Sequence, residues 1–197
     1  MTRLSSAVLL LLLVMVASGR TAHANLIENG GFELGQVPNP CFIFDIGVGS
    51  TLITGWTVSQ GTIDWDGPPP CSVTPGAGAH SLDLVGQIGI GGIQQTFATT
   101  PGKCYKISFD LAGNPGAPPT IKPIAVNING VNVFNDTFSI AGKSASNMGW
   151  VRKSVKFVAT SPSTTVEFVS DVRPSGGTLN AGANLDNVGA RHSHGCP

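Results

Sequence analysis

Alternation of apolar and polar residues is the sequence feature that most constrains this fold. Residues 105–111 alternate strictly, with aromatic and aliphatic side chains on one side and Lys, Ser and Asp on the other. This is the period-2 pattern of a half-buried strand. Residues 124–128 and 131–134 repeat it on either side of Asn129-Gly130, a dipeptide typical of two-residue hairpin turns. The sequence therefore predicts antiparallel strands.

The rest of the chain follows the same design. Its 26 Gly and 14 Pro residues, with only 11% charged residues, exclude a helical bundle and disfavour a doubly wound α/β fold. The apolar residues are patterned rather than sparse, which disfavours a disordered chain. We predict an all-β, antiparallel β-sandwich forming a single domain over residues 25–190. Further strands are expected at residues 52–58, 62–66, 81–85, 93–98, 151–159, 164–170 and 183–190.

Residues 1–24 have the layout of a secretory signal peptide. A basic start at Arg3 precedes an apolar block and the small-residue site Ala22-His23-Ala24, and the block is too short for a typical membrane span. Without Arg3 and Arg20, nine basic residues face 11 acidic ones, so the mature net charge is about −2. We expect a secreted protein with no affinity for nucleic acid and no membrane anchor after cleavage.

Four cysteines remain after cleavage, and an exported chain with an even number is expected to form disulfides. Three pairings of Cys41, Cys71, Cys104 and Cys196 are possible. We expect Cys41–Cys71, which would join two long loops at residues 38–50 and 67–79, and Cys104–Cys196, which would tie the tail at residues 191–197 to the domain. The alternative for the tail is a metal site formed by the His-x-His-x-Cys cluster, which we disfavour because a terminal segment with a disulfide is the simpler interpretation.

No catalytic motif stands out. The chain lacks Gly-x-Ser-x-Gly, His-Glu-x-x-His and the glycine patterns of phosphate and dinucleotide sites. Asp64 and Asp66 are the one candidate glycosidase pair, about 6.6 Å apart on one strand face. Two acids projecting in parallel do not flank a bond from opposite sides. We therefore predict that the protein is not an enzyme, and a cryptic glycoside hydrolase or esterase is the less favoured alternative.

An ordered set of short motifs resembles a known family. The mature chain opens with Asn-Leu-Ile-Glu-Asn-Gly-Gly-Phe-Glu and continues with Gly-Trp-Thr-Val, Ser-Leu-Asp-Leu, Ile-Gln-Gln-Thr-Phe, Phe-Asp-Leu-Ala-Gly-Asn-Pro, Met-Gly-Trp and Leu-Asp-Asn-Val. These motifs resemble the DUF642 domain, and most closely its bacterial branch, choice-of-anchor C. The chain departs from the resemblance in having one domain where plant members usually carry two, and in lacking the C-terminal anchor of the bacterial branch.

The resemblance implies a galactose-binding-like jelly roll, located in the cell wall or extracellular space, that associates with polysaccharide without catalysis. It also implies one structural Ca²⁺, held by Glu33 near the start and Asp186 in the last strand. Two carboxylates with backbone carbonyls would suit a hard cation. The alternative is that Glu33 and Asp186 are ordinary polar residues at strand ends.

Sugar rings stack on aromatic side chains and exchange hydrogen bonds with Asp, Asn and Gln. Trp56 and Trp150 match family positions expected in the core, and Tyr105 lies in an inward-facing row. Trp65, between two Asp residues and next to Pro68-Pro69-Pro70, is the better candidate for exposure. We predict a carbohydrate-binding site formed by Asp64, Trp65, Asp66 and, across the sheet, Asn114. The partner is a polysaccharide or, as the alternative, a wall-modifying enzyme.

Overall fold

The computed structural model describes residues 24–36, 41–86, 90–172 and 181–196. These residues form ten strands, with loops between them and no helix long and apolar enough to span a membrane. The strands are β1 (Phe42–Gly47), β2 (Thr57–Asp66), β3 (Ser81–Asp83), β4 (Ile90–Ala98), β5 (Cys104–Gly113), β6 (Ile121–Ile128), β7 (Val131–Ser139), β8 (Val151–Val158), β9 (Ser163–Asp171) and β10 (Ala183–His192).

The strands form two antiparallel layers that share β2. Sheet I has the order β7-β6-β9-β4-β2, and sheet II has the order β2-β3-β10-β5-β8, with β1 also paired to β2. The first half of β2 pairs with β4 and the second half with β1 and β3. Gly61 lies at the change of sheet with φ +56°, and a Cβ there would collide with the Ile90 carbonyl. A glycine is therefore required where β2 passes from one layer to the other.

The predicted β-sandwich and the hairpin at Asn129-Gly130 are confirmed. Asn129 and Gly130 have φ values of +49° and +78°, as a type I′ turn requires, and they join β6 to β7. Strand β1 was not predicted, because it lies in the region assigned to the loop at residues 38–50. Its register is irregular between Ile43 and Ile46, so its apolar residues do not alternate cleanly.

The core lies between the two sheets. The predicted inward row of β5 is buried throughout, and Phe109 packs against Phe168 of sheet I with ring centroids 5.1 Å apart. Tyr105 is buried as predicted, and its hydroxyl oxygen accepts a hydrogen bond from the Thr100 N–H at 2.9 Å. Trp56 is buried as expected, while Trp150 is half-buried and packs against the edge of the core.

Both expected disulfides are present. Cys41–Cys71 joins the start of β1 to the loop after β2, and Cys104–Cys196 ties the tail to the start of β5. Because Cys196 is in a disulfide, it is not the third ligand of a His-x-His-x-Cys metal site. At the other end of the chain, the Leu26 N–H donates to the Ala190 carbonyl at 2.9 Å, so β10 is held beside the start of the domain. The signal-peptide prediction for residues 1–24 lies, apart from Ala24, outside the described residues.

Candidate functional site

Trp65 is not where the sequence analysis expected it. Its side chain is 1% exposed, and its indole N–H donates to the Phe32 carbonyl at 2.9 Å. Strand β2 alternates, so Trp65 points into the core with Ile63 while the flanking aspartates point to the other face of sheet II. The expectation of an exposed, sugar-stacking Trp65 is therefore wrong.

The two aspartates that flank Trp65 belong to a buried polar group on the opposite face. Asp66 is 1% exposed. Its Oδ1 accepts a hydrogen bond from the Ser72 hydroxyl at 2.6 Å, and its Oδ2 accepts one from the Asn184 side-chain amide at 3.1 Å. Asp64 is half-buried, and its Oδ1 accepts from the Asp45 N–H at 2.8 Å. Both carboxyl groups are held by the protein itself.

Asp83 links these aspartates to the predicted residue Asn114. It pairs with Asp64 in register on the neighbouring strand, and its Oδ2 accepts a hydrogen bond from Asn114 Nδ2 at 2.8 Å. Its Oδ1 accepts from the backbone N–H groups of Val85 and Gly182 at 3.0 and 2.8 Å. The structure therefore brings Asp64, Asp66 and Asn114 together, as predicted, around an aspartate that the sequence analysis had not included.

Burial determines the chemistry of this acid cluster of Asp64, Asp66 and Asp83. Burial raises the pKa of each of the three carboxyl groups to about 7, and the mutual repulsion of their charges adds to the effect. Perturbed pKa values of this kind also occur in active sites. Asp66 and Asp83, however, are sealed from solvent and fully engaged in hydrogen bonds, so Asp64 and Asp66 do not form an accessible glycosidase pair.

A cleft of about 340 Å³ lies above the acid cluster and is formed by loops. Ser72 and Asn114, which hold Asp66 and Asp83, are part of its lining. We call this the loop cleft. Its lining consists of Ser72, Val73, Asn114, Pro115, Gly116, Lys143, Ser144 and Ala145. None of the three aspartates is among these lining residues, so the acid cluster supports the cleft through Ser72 and Asn114.

Glu33 and Asp186, the two predicted calcium ligands, hold the same loop at residues 76–80. The Glu33 carboxylate accepts hydrogen bonds from the Ala79 N–H at 2.9 and 3.1 Å and from the His80 N–H at 3.1 Å. Asp186 Oδ2 accepts from the Ala77 N–H at 2.9 Å. Burial raises the pKa of Asp186 to about 6, with the nearby Glu33 charge as a smaller cause.

The groups that contact the carboxylates of Glu33 and Asp186 are N–H groups rather than the oxygen atoms that would complete a Ca²⁺ site. Asp186 Oδ1 also accepts from the Asn187 N–H at 2.6 Å, and His80 Nδ1 lies 3.3 Å from Glu33 Oε2. In the described part of the chain, no group of three or more His, Cys, Asp or Glu side chains is arranged to hold a metal ion. The residues present fit a loop latch better than a cation site, because Ca²⁺ requires six to eight oxygen ligands.

A row of amide and carboxylate side chains crosses the outer face of sheet I, and the sequence analysis missed it. We call it the amide ladder. Asn127 Nδ2 donates to Glu167 Oε2 at 2.8 Å, and the Gln60 side-chain amide lies 3.5 Å from Glu167 Oε1. Gln94 pairs with Glu167 in register on β4. The members are Gln60, Gln94, Glu167, Asn127, Asn132 and Asn135.

The ladder continues onto the edge strand β7. Asn132 Nδ2 donates to Asn127 Oδ1 at 3.2 Å, and Asn135 Nδ2 donates to Asn132 Oδ1 at 2.6 Å. The ladder thus reaches from β2 to β7 across five strands, which is about 19 Å at ~4.8 Å per strand. Unlike the buried Asp66 and Asp83, the members of the ladder are half-buried or exposed, so their unused donors and acceptors are open to a ligand.

A groove of about 370 Å³ adjoins the ladder at Asn135. Ala125 and Val169, which pair in register on β6 and β9, contribute an apolar part of its lining, and Asp136 and Thr137 contribute a polar part. This volume falls in the range of small-ligand sites. The groove and the ladder together place an apolar surface beside a row of hydrogen-bonding groups.

Comparison with solved structures defines the class of fold. The chain is similar to the carbohydrate-binding module TmCBM61, solved with β-1,4-galactotriose, with a TM-score of 0.52 and 12% identity over 86% of this chain and 99% of that one. It is also similar to part of an arabinose-bound α-L-arabinofuranosidase, MgGH51, with a TM-score of 0.52 and 15% identity over 86% of this chain and 26% of that one. At these identities the likeness shows the fold alone, which is the jelly-roll β-sandwich found in carbohydrate-binding modules.

Comparison with family models identifies the family. The model described as "Protein of unknown function (DUF642)" matches residues 25–188. The chain belongs to the DUF642 family, as the motifs in the sequence indicated. No curated protein matches the chain.

Proposed function

We propose that this protein is a non-catalytic carbohydrate-binding module that contacts polysaccharide through the amide ladder of sheet I. The observation that carries the proposal is the line of planar side chains centred on Glu167 and Asn127, which are joined by a 2.8 Å hydrogen bond. The fold that this chain shares with carbohydrate-binding modules supports the proposal. The proposal replaces the site that was centred on Trp65.

The chemistry of the ladder suits a sugar. A sugar hydroxyl is both a donor and an acceptor, and carboxylate and amide groups offer acceptors and donors side by side. Glu167 is oriented by Asn127, so little side-chain entropy remains to be lost when a hydroxyl binds. Next to the ladder, Ala125 and Val169 provide an apolar surface for the C–H face of a sugar ring. A ladder about 19 Å long has room for several sugar units.

We further propose that the protein acts outside the cell, in a cell wall or extracellular matrix. Two disulfides are typical of proteins exported to an oxidising compartment. The signal-peptide pattern at residues 1–24 supports the same location. The alternative partner, a wall-modifying enzyme, stays a prediction; capture of that enzyme from a wall extract, with and without prior polysaccharide digestion, separates the two.

A binding panel tests the proposal. The mature protein is incubated with β-1,4-galactan, arabinan, xylan and cellulose, and its retention is measured by affinity electrophoresis or pull-down. Galactan comes first because TmCBM61 was solved with β-1,4-galactotriose. We expect retention on at least one of these polysaccharides and at least a tenfold loss for Glu167→Ala, which removes the centre of the ladder.

A matched variant separates binding from folding. Asn147 is exposed in the loop before β8, away from the ladder, so Asn147→Ala should bind as well as the unaltered protein. Asn127→Ala should bind more weakly. An empty panel, or equal binding by Asn127→Ala and Asn147→Ala, would contradict the proposal.

A further inference from the structure

Three cationic side chains stand next to each other on the outer face of sheet II. Arg191 of β10 pairs in register with Lys106 of β5, and Lys106 pairs in register with Lys156 of β8. We call these three residues the cationic row. Directly opposite residues on antiparallel strands have Cα atoms about 4.5–5.5 Å apart. Like charges in such positions repel each other and destabilise the sheet.

No acidic side chain compensates this repulsion in the part of the chain that the structure describes. The ion pairs there are His80–Glu33, Arg152–Asp110 and Lys153–Asp136, and none includes the row. Lys156 Nζ donates to the backbone carbonyls of His194 and Gly195 at 3.3 and 2.8 Å, which positions the charge without neutralising it. The next cross-strand residues along β5, β8 and β10 are Ser108, Ser154 and Gly189.

We propose that the cationic row binds the carboxylates of an acidic, uronate-containing polysaccharide. This inference rests on the proposed function and adds a ligand class and a second contact surface, on the opposite face of the sandwich from the amide ladder. The strand spacing of ~4.8 Å places cations at regular intervals across the sheet. Such a row is complementary to a polymer that carries one carboxylate on each successive sugar.

The overall charge favours this partner over nucleic acid or an anionic membrane. After residue 24 the chain carries nine Lys and Arg against 11 Asp and Glu, so the net charge of about −2 repels a dense polyanion at long range. A local row of three cations acts only at short range, within the Debye length of about 8 Å at physiological salt. A slightly acidic protein with one short cationic row is suited to a polymer that it contacts locally through a few carboxylates.

The test compares polygalacturonate, its fully methyl-esterified form and neutral β-1,4-galactan by affinity electrophoresis of the mature protein. We expect binding to polygalacturonate that weakens at least tenfold between 20 and 300 mM NaCl and at least tenfold in Lys106→Gln. Methyl esterification removes the negative charge and keeps the sugar, so it should abolish this salt-sensitive binding. Lys143→Gln makes the same charge change in the loop before β8 and should bind like the unaltered protein.

The outcomes separate this inference from the proposed function. Loss of galactan binding in Glu167→Ala with polygalacturonate binding intact supports two independent surfaces. If none of the four neutral polysaccharides binds but polygalacturonate binds through Lys106, the ladder proposal fails and the cationic-row proposal is supported. Equal binding to the esterified and free polymers, or no effect of Lys106→Gln on polygalacturonate binding, would each overturn the uronate assignment.

Discussion

Glu167 of β9 accepts a 2.8 Å hydrogen bond from the side-chain amide of Asn127 on β6. The two residues pair in register, so the bond lies across the middle of sheet I. It fixes the planes of both side chains, and each carboxylate or amide group still has further hydrogen-bonding capacity for a ligand. This pair is the centre of the proposed carbohydrate-binding surface.

Coupling between these two residues should appear in binding rather than in stability. We expect Glu167→Ala and Asn127→Ala each to weaken galactan binding about tenfold or more, and the double variant to lose less than the sum, because each residue orients the other. The thermal midpoint should fall by only a few degrees, since both side chains lie on the outer face. Additive binding losses in a titration of all four proteins would argue against the shared site.

Trp65→Ala should act on stability. The side chain is fully buried and its N–H is bonded to Phe32, so truncation leaves a large cavity and an unpaired carbonyl. The expected cost is about 3–5 kcal/mol, measured by urea unfolding. If Trp65→Ala folds with nearly unchanged stability but loses sugar binding, Trp65 belongs to the binding site and not only to the core.

Stability should fall as the pH rises toward neutrality. Burial raises the pKa of Asp66 from its ordinary value of 3.8 to about 7. Between these pH values the folded protein keeps a proton that the unfolded chain has released, so the contribution of Asp66 lowers the free energy of unfolding as pH increases, and the loss is complete above pH 7. Asp64 and Asp83 are shifted in the same direction. Thermal midpoints measured from pH 4.5 to 8 should decline.

Asp66→Asn provides the control for this pH dependence. An Asn side chain cannot ionise, and the Asn184 amide can turn so that its oxygen, which has no hydrogen-bond partner in the described structure, accepts from the new N–H. We expect a flatter pH profile and a higher midpoint at pH 8. An unchanged slope would mean that Asp66 does not titrate in this range.

Thermal unfolding with a chelator tests directly whether Glu33 and Asp186 hold Ca²⁺, as the family resemblance implied. An ion that binds only the native state raises the thermal midpoint. The oxygens of both carboxylates already accept N–H hydrogen bonds from their surroundings, so we expect a chelator to leave the midpoint unchanged. Glu33→Gln should lower the stability by about 1 kcal/mol by weakening the latch on residues 76–80. A midpoint that falls with chelator and recovers with Ca²⁺ would restore the calcium assignment.

Removing the central charge of the cationic row should stabilise the protein. Lys106 faces Arg191 on one side and Lys156 on the other. Lys106→Gln relieves both repulsions, and we expect a gain of roughly 0.2–1 kcal/mol at low salt that diminishes at high salt. The free energies of unfolding of Lys106→Gln and Lys143→Gln, measured by chemical unfolding at two salt concentrations, give the size of this gain. A destabilised Lys106→Gln would show that the row is structural.

The fold was readable from the sequence because its signals are local. The alternation at residues 105–111, the Asn129-Gly130 turn and the cysteines all specify structure over short distances or by simple pairing. Strand β1 escaped prediction because Phe42, Ile43 and Phe44 are consecutive apolar residues and Asp45 adopts φ +55°. Neither period 2 nor period 3.6 describes that segment.

The site was less predictable because it depends on register between distant strands. The alternation of Ile63 and Trp65 with Asp64 and Asp66 already placed the indole on the inward face, but the proximity of Trp65 to a proline loop favoured exposure. The ladder draws its members from five strands, so no single segment displays it. Its one local signal is the recurrence of Asn at 127, 132 and 135 around the hairpin turn.

Sugar binding along the amide ladder can be observed residue by residue through side-chain amide NMR. The mature ¹⁵N-labelled protein is titrated with the oligosaccharide of whichever polysaccharide the panel identifies, beginning with β-1,4-galactotriose. We expect a joint shift of the side-chain amide signals of the ladder and no shift for Asn147; the ladder signals are those of Asn127, Asn132, Asn135, Gln60 and Gln94. Shifts confined to Asn114 and the loop cleft, or no shift with any oligosaccharide at millimolar concentration, would contradict it.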